Sequence, residues 1–331
     1  MSLHSKICTS GYRTLCVFVA MTLFSTSQAN EFDGDWSLKL DSGTPAWLSI
    51  RRDDDGKSVV RMRLHVGSFG PHKVMQESSG RLTFALRTNK KATVTKVVNI
   101  EIIDGKLHGV MTSTSKDGPA KGDAFTGKKI PPVSSTPPDL SKVRFGHPIP
   151  LFNGSDLTGW RPHESDKVNG WSARDGMLVN TTPKTDFSAT GAYANLRTEA
   201  VYDDFWLHIE FLVEEQRNSG VYLRGMYEAQ VVDRDSRMQG IQGVGAIFGA
   251  IAPSKNAGRR GGQWQTYDLT LVDRHVTVVL NGEKVIDNQP VPGPTGGAVF
   301  TDPTEPGPIH LQGDHTNVAY RDIYLAPVIK D

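Results

Sequence analysis

The side chains best suited to chemistry lie in two short segments in the second half of the chain. Within residues 218–224, Tyr222 and Arg224 share one parity, and apolar residues take the other. Glu228 and Gln230 alternate with apolar residues in the same way a few positions later. Because successive side chains of a β-strand point to opposite faces, each segment predicts a strand with one polar face. Carboxylate, phenol, guanidinium and amide groups on such a face can move protons, stabilise an anion and bind hydroxyl groups.

Two other segments show the same alternation. His310 and Gln312 alternate with isoleucine and leucine, and Trp206, His208 and Glu210 alternate with apolar residues in an earlier strand. If these strands are neighbours in one sheet, their polar side chains line a single surface. The alternative is an ordinary solvated face, which antiparallel sheets commonly have. Such a face favours threonine, lysine and serine, whereas aromatic, carboxylate and amide groups favour a surface that stacks on and hydrogen-bonds to sugar rings.

The elements that carry these residues are predicted to be β-strands joined by turns. Alternating apolar residues mark strands at 205–213, 276–280 and 318–325, and Asn281-Gly282 is the turn pair of a tight hairpin. The 33 glycines and 19 prolines suit a turn-rich β protein, and no segment shows sustained helical periodicity. Residues 149–331 therefore predict an all-β, two-sheet jelly-roll sandwich.

A second β-rich block precedes this region. Residues 30–128 alternate in the manner of a meander, with short apolar strands and turn pairs such as Asp104-Gly105. They predict a small antiparallel barrel or sandwich of unknown role, and we find no catalytic constellation in it. Residues 129–148 are rich in proline, which fixes φ and removes hydrogen-bond donors, so they predict an extended linker.

The first 29 residues have the pattern of a signal peptide. Lys6 and Arg13 precede an apolar run from 15 to 24, and a small-residue cleavage site ends at Ala29. We therefore expect residues 1–29 to direct export to the periplasm or the medium; a signal anchor is the alternative. Both cysteines, Cys8 and Cys16, lie in this leader. The mature chain would then have no disulfide, no thiolate zinc site and no cysteine nucleophile.

The charge balance excludes some classes of partner. The formal net charge is +1, so no overall field draws the chain to nucleic acid or to an anionic membrane. We expect neither as a partner once the leader is removed.

Several motifs in order resemble one protein family. They are Ile149 to Gly154, the segment Asn218-Ser219-Gly220 with Arg224, the segment Tyr227 to Gln230 with Asp233, Trp264 to Tyr267, and Ile309 to Gln312. Together they resemble the 3-keto-disaccharide hydrolase, or 3-keto-glucoside 1,2-lyase, family over about 180 residues. Residues before 149 lie outside the resemblance.

This resemblance implies a concanavalin-A-like sandwich that acts on sugars already oxidised at C3. A base removes the C2 proton, the C1 substituent leaves, and water adds back. For this chemistry we hypothesise that Glu228 is the base, with Glu210 as competitor, and that Arg224, or a divalent metal held by carboxylate and histidine, stabilises the enolate. His315 or His310 would serve as acid or ligand. Substrate contacts are expected from Glu210, Asn218, Tyr222, Gln230, Asp233, Trp264, His310 and Gln312.

One departure and two alternatives accompany this hypothesis. Gly313 and Asp314 separate His315 from the leucine–glutamine pair, after which the family places its histidine directly. A conventional glycosidase needs two nearby carboxylates, but the strand carries Gln230 after Glu228, and Asp233 would need a bulge to point inward. The other alternative is a non-catalytic carbohydrate-binding protein. In every case the expected partner is a carbohydrate.

Overall fold

The computed structural model describes residues 30–64, 70–86, 96–115, 118–119, 122–183 and 189–330. The expected signal peptide, residues 1–29, lies outside the described residues. The described chain consists of β-strands, loops and two 3₁₀ turns, Leu140–Lys142 and Gly240–Gln242. From Glu31 onward it forms one compact unit. Within the described residues, no helix is long and apolar enough to cross a membrane.

The first sheet is a meander whose two end strands meet. Its strands are β1 Gly34–Leu40, β2 Pro45–Arg52, β3 Ser58–Leu64, β4 Lys73–Ser78, β5 Arg81–Leu86, β6 Lys96–Ile103, β7 Lys106–Ser115, β8 Gly118–Pro119 and β9 Asp123–Ile130. Hydrogen-bonded neighbours follow the order β3–β2–β1–β9–β7–β6–β5–β4, and β8 pairs with β7. His72, just before β4, donates its backbone N–H to the carbonyl of Val60 on β3 at 2.7 Å. This contact joins the two ends of the sheet, so the strands form a barrel.

The barrel interior is filled with side chains. One parity of each strand points inward, and Trp36, Leu48, Val60, Phe84 and Phe125 are all buried in a common cluster. The indole N–H of Trp36 donates to the carbonyl of Phe32 at 2.9 Å, so its polar atom is satisfied inside the core. Burying each large apolar side chain contributes about 1.5–3 kcal/mol. The barrel is therefore a packed core.

The second half of the chain forms two facing sheets. The larger has the order β12–β13–β22–β15–β18–β19–β20 with β10 on β22, and the smaller has the order β11–β14–β21–β16–β17. The strands are β10 Ile149–Pro150, β11 Trp160–Pro162, β12 Trp171–Arg174, β13 Met177–Asn180, β14 Leu196–Thr198, β15 Phe205–Leu212, β16 Asn218–Leu223, β17 Tyr227–Val232, β18 Trp264–Val272, β19 His275–Leu280, β20 Glu283–Pro290, β21 His310–Leu311 and β22 Val318–Pro327. This architecture confirms the predicted all-β fold, a jelly-roll sandwich preceded by a small antiparallel β-domain.

The core between the two sheets decides where the polar residues point. Phe205, Leu207, Ile209 and Phe211 of β15 pack inward from the larger sheet. The smaller sheet contributes a matching set from one parity of its strands, namely Leu196, Val221, Leu223, Ala229, Val231 and Leu311. The opposite parity of the smaller sheet must therefore face away from the core. We call that surface the polar face.

The condition under which all the polar strands would share one surface, that they are neighbours in one sheet, is not met. Strand β15 belongs to the larger sheet, where it pairs with β18 and β22. Trp206, His208 and Glu210 therefore lie on the outer surface of the larger sheet, on the far side of the core from the polar face. Alternation identifies the outward parity of a strand, but it does not tell which of two sheets the strand joins.

The barrel and the sandwich touch along several contacts. Lys128 on β9 forms an ion pair with Asp302 at 2.8 Å. A Cβ added to Gly293 would lie only 3.0 Å from the indole nitrogen of Trp47, so the backbone here packs directly on a barrel side chain. Arg274 donates to the carbonyl of Pro131 at 2.7 Å. On β3, Arg63 lines a narrow gap together with Thr295 and Ala298, so this strand also lies close to the sandwich.

Candidate functional site

One row of side chains crosses the polar face from strand to strand. Glu228 on β17 lies opposite Tyr222 on β16, Tyr222 lies opposite His310 on β21, and His310 lies opposite Arg197 on β14. Residues directly opposite each other in a sheet have Cβ atoms about 4.5–5.5 Å apart. The rings of Tyr222 and His310 meet edge to face, with centroids 4.8 Å apart. The row thus places a carboxyl, a phenol, an imidazole and a guanidinium side by side.

A glycine makes room for the carboxyl group. Gly220 comes two residues before Tyr222 on β16, on the same face as the row and opposite Gln230. A Cβ added to Gly220 would lie 2.4 Å from Oε1 of Glu228, so the glutamate side chain lies across this strand where any other residue would displace it. The backbone N–H of Gln312 donates to the carbonyl of Gly220 at 2.9 Å. The Asn218-Ser219-Gly220 motif therefore has a direct structural role in placing Glu228.

The environment of Glu228 favours proton transfer. Its side chain is only 3% exposed. Burial raises the pKa of Glu228 to about 8, while its hydrogen bond with Tyr222 and the charge of Arg63 act in the opposite direction. A carboxyl group whose pKa lies near the working pH can both accept and donate a proton in a reaction. Glu228 has the properties of a general base or acid.

The hydroxyl of Tyr222 connects Glu228 to a covering loop. It donates to the carbonyl of Gly296 at 2.8 Å and accepts from Nε2 of Gln312 at 3.2 Å. It also shares a hydrogen bond with Glu228, and burial followed by that carboxylate's charge raises the pKa of Tyr222 well above its usual value. A phenol has one proton, so it donates either to Gly296 or to Glu228. Ionisation of Glu228 therefore favours a switch of this proton toward the carboxylate.

Polar atoms without partners surround the row. Among the described residues, Asn218 Oδ1, Gln312 Oε1 and Arg197 Nε are buried atoms with no hydrogen-bond partner. All three residues have the parity of the polar face. Leaving a buried polar group unsatisfied costs about 1–3 kcal/mol, so native proteins seldom do so without a functional reason. Ordered water or the polar groups of a ligand can satisfy these atoms.

A cleft lies beside one end of this row. It has a volume of about 570 Å³ and runs between the barrel rim and the first strands of the sandwich, lined among others by Leu40, Pro45, Met111, His163 and Lys167. The ring of His163 meets the ring of His310 with centroids 5.9 Å apart. The volume is in the range of small-ligand sites, about 300–1,000 Å³. The cleft therefore adjoins the row at His310.

Six of the predicted site residues lie on the polar face. They are Asn218, Tyr222, Glu228, Gln230, His310 and Gln312. Gln230 is covered by the segment after β17, since its Nε2 donates to the carbonyl of Gln242 at 3.2 Å. The other five either belong to the row or carry unpartnered atoms. These are the residues that the structure brings together.

Arg224 lies elsewhere, contrary to the expectation that it stabilises an enolate beside Glu228. It occupies the hairpin after β16 with a positive φ of 54°. Its guanidinium donates to the carbonyls of Pro303 and Glu305 at 2.8 and 2.6 Å and lies 3.2 Å from Asp203. The turn carries the side chain away from the row, so Arg224 ties a loop to the sandwich.

The carboxylate of Asp233 has a structural role, because it accepts hydrogen bonds from two turns. Its two carboxylate oxygens accept the backbone N–H groups of Gln216 and Asp235, at 2.8 and 2.9 Å. No bulge brings it to Glu228, because β17 pairs regularly with β16 up to Val232. The paired carboxylates of a conventional glycosidase are therefore not found at this position.

Glu210, Trp264 and His315 are also displaced from the row. Glu210 forms an ion pair with Arg321 at 2.7 Å, and the Arg321 guanidinium stacks on Trp264 at 4.0 Å, all on the outer surface of the larger sheet. His315 lies beyond β21, where its Nδ1 is 2.6 Å from Asp314. The intervening glycine and aspartate carry it past the end of the short strand.

Three residues near the row were missed by sequence reasoning. Arg197 and His163 lie on or next to β14 and β11, strands too short for alternation to be noticed. Arg197 alternates with Leu196 and Thr198, which is the only sequence signal that could have found it. Arg63 comes from β3 of the barrel, and no local pattern links it to Glu228.

A divalent metal is one of the two options for stabilising the enolate, and it would need carboxylate and histidine ligands. The described residues contain no group of three or more histidine, cysteine, aspartate or glutamate side chains arranged to hold a metal ion. Glu228 has a phenol, a glycine and amides as its neighbours on the polar face. The residues of the row do not fit a metal centre, and no catalytic step is assigned to one here.

Comparison with known proteins identifies one matching family. The profile of the 3-keto-alpha-glucoside-1,2-lyase-like domain matches residues 147–326. Among solved structures, two proteins from Parabacteroides distasonis, each provisionally named a glycosyl hydrolase, share 21% identity. They cover 54% of this chain and 92% and 98% of their own, with TM-scores of 0.45 and 0.41. A non-specific endo-β-1,3(4)-glucanase from family GH16 is 13% identical over 60% of this chain and 98% of its own, with a TM-score of 0.36. No curated protein matches the sequence.

Proposed function

Because the chain belongs to the 3-keto-alpha-glucoside-1,2-lyase-like domain family, we propose that it cleaves 3-keto-glycosides by elimination and rehydration. The observation that carries this proposal is Glu228, a buried carboxyl with its pKa raised to about 8, beside Tyr222. Membership of the family supports a carbohydrate-processing activity. The specific reaction is the finer step that we infer from the chemistry of the row.

The reaction begins with a proton that a ketone has made acidic. In a 3-keto sugar the carbonyl at C3 acidifies the hydrogen on C2, and the ionised carboxylate of Glu228 takes that proton. The electron pair of the broken C–H bond moves to the C3 oxygen as an enolate. Tyr222 and His310 are the nearest row members able to donate a hydrogen bond to that oxygen. Donors placed where charge develops lower the barrier most.

Collapse of the enolate expels the C1 substituent. The C1–O bond breaks, a double bond forms between C1 and C2, and the departing oxygen takes a proton from a water molecule, whose hydroxyl then goes to C1. Water then adds across this double bond, with hydroxyl to C1 and a proton to C2, so that the net change is hydrolysis. Glu228 holds the abstracted proton and can return it to C2. One carboxyl group suffices for this route, which agrees with the commitment of Asp233 to backbone contacts.

The surrounding residues would hold the sugar. Asn218, Gln312 and Arg197 offer the unpartnered acceptors and donor for its hydroxyl groups. The cleft beside His163 would receive the C1 substituent. Tyr222 and Glu228 are at most 3% exposed, so residues 294–298, which contact both of them, must move when substrate enters.

The test compares an oxidised substrate with its parent. The purified chain is incubated with a 3-keto-glucoside and with the unoxidised glucoside, each with and without chelator, and aglycone release is measured. We expect release from the keto sugar only, with a loss of about 10²–10⁴-fold in Glu228→Gln. Glu210→Gln, a carboxyl on the outer surface of the larger sheet, is the matched control and should keep full activity.

Two outcomes would overturn the proposal. Full activity in Glu228→Gln would remove the assigned base. The absence of release from either substrate, together with measurable binding of a glycan, would favour a non-catalytic carbohydrate-binding protein. The three unpartnered polar atoms on the polar face support that second function equally well.

A further inference from the structure

An arginine of the barrel lies against the loop that covers the row. Arg63, on the outward parity of β3, lines a narrow gap together with Pro294, Thr295 and Ala298. A Cβ added to Gly296 would lie 3.8 Å from Nη1 of Arg63. The guanidinium therefore packs on the backbone of residues 294–298, which we call the covering segment.

The opposite side of the covering segment contacts the row itself. The carbonyl of Gly296 accepts the hydroxyl of Tyr222 at 2.8 Å. The hydroxyl of Thr295 accepts the backbone N–H of Glu228 at 3.0 Å. A Cβ added to Gly297 would lie 2.4 Å from the hydroxyl oxygen of Tyr222, and this glycine has a positive φ of 79°. The two glycines keep the segment thin, so one layer of backbone separates Arg63 from the row.

Arg63 acts electrostatically on Glu228. Burial lowers the pKa of Arg63 to about 10, while the charges of Tyr222 and Glu228 favour its protonated form. At neutral pH the guanidinium therefore remains charged. Its charge in turn lowers the pKa of Glu228 and opposes the effect of burial. Glu228 is buried and Arg63 is half-buried, so solvent screens their attraction less than it would on the open surface.

The other ionisable groups near Glu228 lie along the polar face and across the core, and Arg197, the guanidinium of the row, is separated from Glu228 by His310 and Tyr222. Tyr222 on β16 contacts the carboxyl, and His310 and Asp314 flank Tyr222. The charge of Glu228 also acts on Tyr267 and Tyr320 of the larger sheet, across the core. Burial raises the pKa of both tyrosines, so they remain neutral. Among the described residues, Arg63 is the cation that acts directly on Glu228.

We propose that Arg63 is a positioning residue for this site, and that its guanidinium stabilises ionised Glu228 across the covering segment. The inference rests on the proposed function for its catalytic meaning, because it is the ionised carboxylate that takes the C2 proton. Arg63 lies outside residues 147–326, the part of the chain that matches the family. The barrel would therefore contribute to the chemistry of the sandwich.

The experiment replaces Arg63 and follows the ionisation of Glu228. The variants are Arg63→Met and Arg63→Lys, with Arg61→Met as control, since Arg61 is on the same strand with the same parity. In the Met variant we expect the pH at which the base ionises to rise by about 0.5–1 unit. The corresponding fall in kcat/KM at pH 7 is about three- to tenfold, and it should disappear above the shifted pKa. Arg63→Lys should restore most of the loss, and Arg61→Met should behave as wild type.

A second readout separates this inference from the proposed function. Titration of the glutamate carboxyl carbons by ¹³C NMR, assigned with Glu228→Gln, reports the ionisation of Glu228 without any substrate. A shifted titration in Arg63→Met supports the inference even if no keto sugar is cleaved. An unchanged titration in a folded Arg63→Met protein would overturn it. If Arg63→Met does not fold, Arg63→Gln replaces it, and an unchanged titration there has the same meaning.

Discussion

Replacing Glu228 by glutamine should stabilise the protein at alkaline pH. The pKa of Glu228 is raised from 4.5 to about 8 in the folded chain, mainly by burial. Between these values the folded state binds a proton that the unfolded state has already lost. The free energy of unfolding therefore falls as the pH rises from 4.5 toward 8, because the unfolded state is the one favoured by deprotonation. Glutamine cannot ionise, so the variant does not suffer this loss.

The magnitude follows from the two pKa values. A shift from 4.5 to about 8 corresponds to about 5 kcal/mol in total, at 1.36 kcal/mol per pKa unit. Most of it, about 4 kcal/mol, is lost between pH 5 and pH 9 by the same linkage relation. The amide of glutamine has nearly the same shape as the carboxylic acid and can still hydrogen-bond to Tyr222. The variant should thus resemble the wild type at pH 5 and exceed it in stability at pH 9.

The assay is urea unfolding at pH 5, 7 and 9, followed by tryptophan fluorescence, for wild type, Glu228→Gln and Glu210→Gln. Glu210 is partly exposed and paired with Arg321, so its replacement should give no gain at high pH. Parallel pH profiles for wild type and Glu228→Gln would refute the reasoning, since they would show that Glu228 ionises as easily in the folded chain as in water.

Three further substitutions test individual contacts. Gly220→Ala should displace Glu228, because the added Cβ would meet its Oε1 at 2.4 Å. We expect a large loss of kcat/KM in steady-state kinetics. Urea unfolding should show a destabilisation of about 1–3 kcal/mol. Tyr222→Phe should raise the pKa of Glu228 further, because the hydrogen bond from Tyr222 favours the ionised carboxyl. A pH–rate profile that does not shift to higher pH would contradict this. Arg224→Met should lower the free energy of unfolding by about 1–3 kcal/mol, because the buried guanidinium loses its hydrogen bonds to two carbonyls and its contact with the partly exposed Asp203. Its pH–rate profile should match that of the wild type.

Local patterns predicted the strands and the parity of their side chains. In β16 and β17, alternation identified the parity of Tyr222, Glu228 and Gln230, and the structure places all three on the polar face. The turn pair Asn281-Gly282 lies between β19 and β20, where the hairpin was expected. These features depend on neighbours in sequence, so the sequence alone is sufficient to find them.

Features that depend on tertiary pairing could not be predicted in this way. Glu210 has the same alternation as Glu228, yet β15 pairs within the larger sheet. Arg224 continues the parity of Tyr222, but its positive φ turns the side chain out of the row. Asp233 follows Glu228 closely, and only the backbone N–H groups that it accepts reveal its structural role. In each case the residue type suggested a site residue, but strand pairing, backbone conformation or hydrogen-bond partners determine where the side chain lies and what it binds.

The position of Arg63 changes how the matched family region should be understood. Within residues 147–326 the polar face buries Glu228 beside Tyr222, with Arg197 at the far end of the row, and burial alone would favour the protonated acid, which could not act as the proposed base. The cation that favours the ionised base comes from the barrel, through a glycine-containing segment thin enough for the charge to act. At a pKa of about 8, about one tenth of the carboxyl groups are ionised at pH 7, and each further unit would reduce that fraction tenfold. A sandwich of this design without the barrel would need another cation at the same place, or it would work only at higher pH.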